Sequence, residues 1–345
     1  MTDALQFRLA SPQDAAAITA CVRAVRGEEY PIRLLYAPDE LALAIADARL
    51  VFALALLPAN AEVADEAVDE VVGLAALEPS PYGRTGELGV LMVRPALRRQ
   101  HVADDLRRLL AGWAREQGRR GLWGEVLAPM AGTPEAACVS QRFSENAQLV
   151  PCGIALGLWP APDGTRQSFV RYARPLPPDT PPVACQLPEQ HRALAAKILE
   201  RLQCPVSFED ERRPRRSGLL HAKYEPALRS WVLSVPRIGS DSAANLLATI
   251  AHLQADPGVA CAHLELPMAQ PGASALCELA EARGFFFSTL TPEAFADGPG
   301  LRLQWLAKPI EPTALALLNP LAQRIAEHQS REQARVRRWA IAAAA

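Results

Sequence analysis

No uninterrupted hydrophobic run in this chain of 345 residues approaches the roughly 18 residues of a membrane span, although half of its residues are hydrophobic. The start, Met1-Thr2-Asp3-Ala4-Leu5-Gln6, lacks the basic and apolar regions of a signal peptide. Charge of one sign is missing as well. Lys and Arg number 36 against 38 Asp and Glu, and the formal charge of −2 offers no global attraction to nucleic acid or to an anionic membrane. The seven cysteines are scattered, odd in number and without a C-x-x-C pair, so they give neither a metal-type spacing nor a disulfide framework. They read as small core residues in a reducing cytosol, and a cytoplasmic location without a bound metal is expected. The length fits two domains.

The most informative stretch runs from Glu87 to Trp113. Glu87-Leu88-Gly89-Val90-Leu91-Met92-Val93 is nearly all apolar, as a buried strand requires. Pro95 cannot donate to a sheet ladder and ends the strand. Val102, Leu106, Leu109, Leu110 and Trp113 then mark one face of a helix, with Arg107, Arg108, Arg115 and Glu116 on the other. Between strand and helix lies Arg98-Arg99-Gln100-His101-Val102-Ala103. A helix N-terminus presents unpaired amides and a dipole that favours anions, so this turn is placed to hold phosphate. Asp104 and Asp105 suit a first helical turn but compete with a bound anion.

The run Val93-x-Pro95-x-x-Arg98-Arg99-Gln100-His101-Val102-Ala103-x-x-Leu106 resembles the acetyl-CoA loop of the GNAT N-acetyltransferases, whose pattern is Arg/Gln-x-x-Gly-x-Gly/Ala between the fourth strand and third helix. Arg98 and Ala103 fit the pattern. His101 stands where the family has glycine. Glycine lets the backbone approach a pyrophosphate closely; histidine brings a Cβ and a ring, able either to donate to phosphate or to crowd it. The resemblance implies acetyl-CoA, or a longer acyl-CoA, as co-substrate, held by Met92, Val93, Arg98, Arg99, Gln100, His101, Val102 and Ala103.

Read in order, the first half gives Phe7-Arg8-Leu9 as a strand and a helix started by Ser11 and Pro12, with Ala15, Ile18, Val22 and Val25 on its face. A second helix spans 38–50, strands 50–57 and 71–77 follow, and the acidic stretch 58–70 between them reads as a solvated loop. After the organising strand and helix come a strand at 122–127, a helix at 133–149 and strands at 154–159 and 168–172. That order is the one expected of a complete GNAT domain over 1–174. The family commonly builds one wall of its acceptor site from the region matching Glu28, Glu29, Tyr30 and Tyr36.

Prolines crowd residues 175–183, a semi-rigid extended linker. Beyond it the pattern is expected to start again over 184–310. A helix covers 187–202, short strands fall at 207–209 and 218–220, and a strand at 230–236 ends in Val235-Pro236. A helix at 242–253, a strand at 262–266, a helix at 273–283 and strands at 285–287 and 301–306 complete it. Leu306-Ala307-Lys308-Pro309 echoes Tyr172-Ala173-Arg174-Pro175. The expected fold class is therefore α/β, or α+β: two tandem GNAT-like domains, each a mixed, mostly antiparallel sheet flanked by helices. In the second, Arg237-Ile238-Gly239-Ser240-Asp241 is too short for the phosphate loop, so that copy is expected to have lost the cofactor, with Gly239 and Ser240 retaining at most a small anion nest. A C-terminal helix is expected from Pro312 to about Ala342, with Leu315, Leu318, Leu321 and Ile325 on its packed face and a solvated basic end at Arg331, Arg335, Arg337 and Arg338. Without interleaved aromatics that end does not read as a nucleic-acid patch.

Acyl transfer to an amine needs a pinned thioester, a group to remove the amine proton and a donor for the leaving thiolate. Glu87, eleven residues before Arg98, is the base candidate, because a glutamate at that spacing is the base in histone-acetylating members of the family; a water-exposed strand-edge carboxylate is its plain alternative. Glu125, Glu28 and Glu29 are substitutes. The family's tyrosine near the fourth helix is missing from 133–149, where Ser140 is placed to contact the thiol side. Tyr172 reads as packing, and Cys138 has no histidine within ten residues to activate it. Three classes follow: an N-acetyltransferase acting on a small-molecule or peptide amine, a non-catalytic acyl-CoA-binding or scaffold protein, and a structural half-pair whose second domain makes a homodimer.

Overall fold

The structure, a computed structural model, describes residues 5–28, 30–58, 69–133, 138–161, 163–176 and 182–344. Glu29, most of the acidic stretch 58–70, positions 134–137 of the expected helix and positions 177–181 of the proline-rich stretch lie outside the described residues. Contacts divide the chain into two compact units: residues 1–81 with 85–122, and residues 82–84 with 123–345. The proline-rich stretch, where the sequence suggests a boundary, lies within the second unit.

The first unit holds β1 (Gln6–Leu9), α1 (Ala15–Arg26), α2 (Pro38–Ala46), β2 (Val51–Leu57), β3 (Glu70–Pro79), β4 (Thr85–Val93) and α3 (Val102–Glu116). The strands pair antiparallel in chain order. Entry into α1 is fixed by Asp14, which accepts from the Ser11 amide (2.7 Å) and from Arg8 (2.7 and 2.8 Å). Chiefly through that Arg8 bond, the Asp14 carboxyl is held down to about 2. Pairing puts Leu54 beside Leu74 and Phe52 beside Ala76, and these large side chains form a core with Ile18, Val22 and Leu41 from the first two helices. The alternate positions are small: Ala53 lies opposite Ala75, and Ala55 opposite Gly73. A Cβ on Gly73 would stand 3.2 Å from Val102 Cγ1, so the missing side chain lets the start of α3 settle close to the sheet. Helix α3 buries Val102, Leu106, Leu110 and Ala114. Leu109 and Trp113, expected on the same face, are only half-buried.

The second unit contains most of β5 (Gly121–Ala128), then α4 (Val139–Asn146), β6 (Val150–Pro160), β7 (Arg166–Pro175), β8 (Val183–Cys185), α5 (Glu189–Arg201), β9 (Val206–Phe208), β10 (Leu219–Glu225), β11 (Ser230–Arg237), α6 (Ser242–Ala255), β12 (Cys261–Pro267), α7 (Ala273–Glu281), β13 (Phe286–Phe295), β14 (Gly298–Leu306) and α8 (Pro320–Ala344). Its main sheet runs β5-β7-β6-β13-β14-β12-β11-β10, with β11 and β12 parallel around α6; β8 and β9 form a separate parallel pair. The fold is thus α/β with a mixed, mostly antiparallel pairing. The order expected for the first half is the observed one, and the sequence β3-β4-α3-β5-α4-β6-β7 recurs as β10-β11-α6-β12-α7-β13-β14.

Irregularities recur with it. In β4 the register slips between Gly89 and Met92 against Ala76 and Leu74; in β11 it slips between Ser234 and Arg237 against His221 and Leu219. In β6 the slip lies between Ala155 and Trp159 against Phe169 and Gln167; in β13 it lies between Thr291 and Phe295 against Gly300 and Gly298. Each later bulge has the size and place of its earlier counterpart.

Several boundaries differ from expectation. Helix α4 covers 139–146 rather than the whole of 133–149. Strand β13 runs ten residues, not three, because its bulge breaks the period-2 pattern that the sequence would otherwise show. The C-terminal helix starts at Pro320 rather than after Pro312. Leu315 instead bridges to Met130, and the helix opens where Pro320 has no N–H to satisfy and Asn319 Oδ1 accepts from the Leu321 amide (2.9 Å). Nor is its basic end wholly solvated. Arg335 reaches Glu281 at 2.8 Å, Glu281 takes a 2.5 Å bond from His191 Nε2, and His191 Nδ1 lies 2.9 Å from His328 Nε2. His191, Cys277 and Glu281 also have the spacing of metal ligands, but both His191 nitrogens are engaged and a guanidinium occupies the carboxylate, which disfavours a cation. No disulfide joins the seven cysteines, all of which are buried. Among the described residues no helix is long and apolar enough to cross a membrane.

Candidate functional site

Strand β4 departs from the fully buried strand that its composition predicts. Residues 87–90 are half-buried and Leu91 is exposed. The slip opposite Ala76 and Leu74 centres on Val90, whose φ is +52°. A β-branched residue rarely adopts that conformation, and strain of this kind persists where the surroundings impose it. The bulge interrupts the ladder between β3 and β4 beside an accessible apolar surface.

After β4 the chain turns through Pro95–Leu97 and reaches α3. Arg94 is tied back by its amide to Val72 O (2.9 Å) and by its guanidinium to Glu70 (2.6 Å). Arg98 Nε donates to Val93 O at 3.2 Å, and Gln100 Nε2 donates to Ala96 O at 3.3 Å. Arg99 and His101 have φ of +65° and +60°. Alternating backbone signs of this sort turn successive N–H groups toward one point. Among the described residues, the amides of residues 99–103 have no acceptor. They crown a 15-residue helix whose dipole adds about half a positive charge. The guanidiniums of Arg98 and Arg99 are exposed next to them.

His101 thus takes the left-handed conformation that glycine would take, and its side chain is 84 % exposed, with Nδ1 3.4 Å from Asp104. The two aspartates expected to compete with an anion are matched by cations one turn on, Asp104 by Arg107 at 3.1 Å and Asp105 by Arg108 at 2.6 Å.

Glu87 pairs across the strands with Glu78 and is half-buried. Its charge bears on the Tyr30 hydroxyl, whose pKa is raised, first by burial and in smaller part by Glu87, against the lowering effect of Arg26. The Tyr30 amide donates to Tyr36 Oη at 3.1 Å. Sequence reasoning placed Tyr30 in the acceptor wall without a chemical role; only pairing in space shows its relation to Glu87. Of the substitutes, Glu28 in the first unit is exposed and takes an ion pair from Arg23 at 2.9 Å; the remaining described candidates lie in the second unit. Ser140 is exposed on α4, which contains no tyrosine. Cys138 is buried. Tyr172 is buried and donates to Glu145 at 3.1 Å, in keeping with packing. Glu125 takes ion pairs from Arg171 (2.6 Å) and Arg302 (3.4 Å).

The equivalent turn of the second half is occupied by the chain itself. Asp241 Oδ1 accepts from the Gly218 amide at 2.6 Å, the Ser240 amide donates to Arg216 O at 2.9 Å, and the Gly239 amide donates to Ser242 Oγ at 2.8 Å. A Cβ on Gly239 would fall 1.9 Å from the Gly218 nitrogen.

Residues 28–131 match the model of the acetyltransferase (GNAT) family, which identifies a GNAT acetyltransferase domain over that segment, β4 and the α3 turn included. Solved structures similar to this chain include a putative acetyltransferase of the GNAT family from Desulfovibrio desulfuricans (19 % identity, 50 % of this chain and 100 % of that one, TM-score 0.38). A second is an N-acetyltransferase from Staphylococcus aureus Mu50 (17 % identity, 50 % and 99 %, TM-score 0.38). A third is an aminoglycoside 6'-N-acetyltransferase complexed with coenzyme A (16 % identity, 50 % and 99 %, TM-score 0.36). No curated protein matches the sequence.

Proposed function

We propose that the protein transfers an acetyl or other acyl group from acyl-CoA to a primary amine by direct attack. The observation that carries this reading is the run of acceptor-less amides at 99–103, beside Arg98 and Arg99 at the head of a long helix, within the segment that matches the family model. These groups suit a pyrophosphate: charge-assisted bonds from amides and guanidiniums are the strong ones. The accessible apolar strip of β4, from Leu88 to Leu91, suits the thioester arm, while Met92, expected to join it, is buried in the core. In the reaction the amine nitrogen bonds to the acyl carbon and the C–S bond breaks. Glu87, directly or through water, takes the ammonium proton, and the thiolate leaves to be protonated as free thiol. Tyr30, protonated at neutral pH, is the hydroxyl near Glu87 able to donate toward that thiolate. The second half is read as a degenerate GNAT-like copy, since it repeats the order and bulges but fills its own anion turn.

Calorimetric titration of CoA and acetyl-CoA into the full chain and into the Arg98→Ala, Arg99→Ala double variant tests the reading. Micromolar binding lost by at least tenfold in the variant supports it. No binding to the parent chain refutes it. A non-catalytic acyl-CoA binder is the second reading, favoured by the absence of tyrosine from α4; binding without acyl transfer to any amine of a broad panel would select it.

A further inference from the structure

A cavity of about 420 Å³ lies within the second unit, in the size range of small-molecule sites. It forms where the last turn of α6, the chain just after α7, the first residue of β13, the end of β14 and the second half of α8 meet. Part of its wall is apolar. Phe286 and Val336 are 3 % and 1 % exposed there, and Leu306 and Trp305 add half-buried surface.

The polar part of the wall carries charge of one sign. Arg283 and Arg337 border the cavity and no carboxylate does. Neither guanidinium forms an ion pair among the described residues. Glu311, whose charge bears on Arg337, already accepts from the Thr313 amide (3.3 Å) and hydroxyl (2.8 Å). Arg337 is also held in place. Gln333, 5 % exposed, donates through Nε2 to Ile310 O (3.0 Å) and accepts from Arg337 Nη2 through Oε1 (3.1 Å). That bond leaves most of the guanidinium's N–H donors unspent. Gln254 Nε2 donates to Arg283 O (2.8 Å) and fixes the backbone that carries the second guanidinium. The last carbonyls of α7 accept from the amides of Ala282, Arg283 and Gly284 at 2.9 Å each, so they make no claim on the cations.

Gly284 leaves one edge of an indole open. Its φ of +85° suits the stop of α7, and a Cβ there would stand 3.5 Å from Trp305 Cδ1 and 3.7 Å from Nε1. The Trp305 N–H, a donor only, has no acceptor among the described residues. Solvated surface arginines alone do not account for this arrangement. Arg283 follows α7 directly and suits that helix's dipole, but Arg337 lies well inside α8, beyond the reach of either end. Two cations bordering one partly apolar hollow repel each other until an anion joins them.

We propose that this cavity binds a small aromatic anion, its carboxylate or phosphate held by Arg283, Arg337 and Trp305 Nε1 and its ring lodged against Phe286, Leu306 and Val336. Guanidiniums match both oxyanions through paired N–H bonds, so the site recognises their shared chemistry. No nucleophile or carboxylate lines the cavity, which assigns it to ligand binding rather than to a reaction. The inference does not rest on the acyltransferase reading.

Calorimetry on the full chain at fixed ionic strength tests it. Benzoate probes the carboxylate and phenyl phosphate the phosphate; inorganic phosphate lacks the ring and benzylamine reverses the charge. The double variant Arg283→Gln, Arg337→Gln removes both charges at exposed positions. Gly284→Asn keeps them, adopts positive φ more readily than most residues, and fills the space beside the indole; should it fold poorly, the arginine pair still decides. The Arg98→Ala, Arg99→Ala variant is the third, because the turn before α3 also attracts anions.

Binding of benzoate or phenyl phosphate supports the site if it weakens about tenfold or more in the Arg283, Arg337 variant and about threefold or more in folded Gly284→Asn, yet holds without Arg98 and Arg99. The tighter of the two then names the oxyanion. Absence of binding by both up to about 10 mM overturns the inference. So does inorganic phosphate or benzylamine bound as tightly as the aromatic anions, or an affinity lost with Arg98 and Arg99 but not with Arg283 and Arg337. CoA binding to the parent chain decides the acyltransferase reading separately, so either can fail while the other stands.

Discussion

Replacing His101 by glycine separates backbone strain from side-chain function at the phosphate turn. His101 caps α3 with φ +60° and ψ 6°, a conformation that costs an L-residue about 1–2 kcal/mol and glycine almost nothing. Against that gain stands the larger freedom of glycine in the unfolded chain, about 0.4–1 kcal/mol. The imidazole contributes little else. Its side chain is 84 % exposed and its contact with Asp104 is 3.4 Å long, an exposed pair of small worth. The balance is a stabilisation of roughly 0.5–1 kcal/mol. Removing the Cβ also brings a pyrophosphate closer to the amides, so CoA affinity should hold or rise. Urea unfolding followed by far-ultraviolet circular dichroism, paired with CoA calorimetry, measures both. A loss of more than 1 kcal/mol, or a tenfold weaker CoA complex, would refute this account and make the imidazole a ligand-binding group.

Gly239→Ala and Gly112→Ala should move stability in opposite directions. The first drives a Cβ to within 1.9 Å of the Gly218 backbone and should cost several kcal/mol, whereas the second adds a Cβ with nothing within 4 Å inside α3 and should gain about 0.5–1 kcal/mol in the same unfolding assay. Glu281→Gln leaves Arg335 and His191 facing a neutral amide in a place 0 % exposed, and should cost about 3–5 kcal/mol; a loss below 1 kcal/mol would show that the cluster does not fasten α8. Acid should destabilise the protein well before its carboxylates titrate. His328 is pushed down to about 3, mainly by burial, and His263 also lies well below its ordinary value. Between pH 6.5 and 3 the unfolded chain therefore binds protons that the folded chain refuses, and stability falls with pH by about 1.4 kcal/mol per unit for each histidine. A flat stability profile from pH 7 to 5 would contradict the neutral state of both rings.

Local signals made the first half legible. The strand, Pro95 and the helical stripe of α3 are short-range patterns, and the structure places them where the sequence does, with Ala114 taking a buried place that Leu109 and Trp113 were expected to fill. What escaped depends on pairing between distant residues. The Val90 bulge cannot be read from Leu88-Gly89-Val90-Leu91, because it is defined by what lies opposite, and the same is true of the slip that hid residues 288–295 of β13. Arg335 looked like one of four solvated cations on a helix end; its partner Glu281 sits more than fifty residues away. Glu125, a substitute base in the sequence, is tied to Glu265 only through Arg302, 177 residues further along the chain.

If the second half is a degenerate copy, as proposed, it would have kept the backbone of the first while losing its anion turn. The bulge at Gly89 to Met92 has its counterpart at Ser234 to Arg237, so the backbone device survives in both. In the second half, Pro236 stands inside the slip and has no N–H to present to a ligand. The turn beyond it is shorter, and the chain supplies its own carboxylate: Asp241 accepts from Gly218 at the mouth of α6, where a phosphate would have to sit. Restoring space alone therefore cannot restore anion binding. Asp241→Asn removes the repelling charge but keeps an oxygen for the Gly218 amide, so the local structure should survive with a loss of about 1 kcal/mol or less while the turn still fails to bind CoA. Calorimetry on that variant in the Arg98→Ala, Arg99→Ala background is the measurement. CoA binding appearing there would mean that charge, rather than the filled and shortened turn, had silenced the second copy.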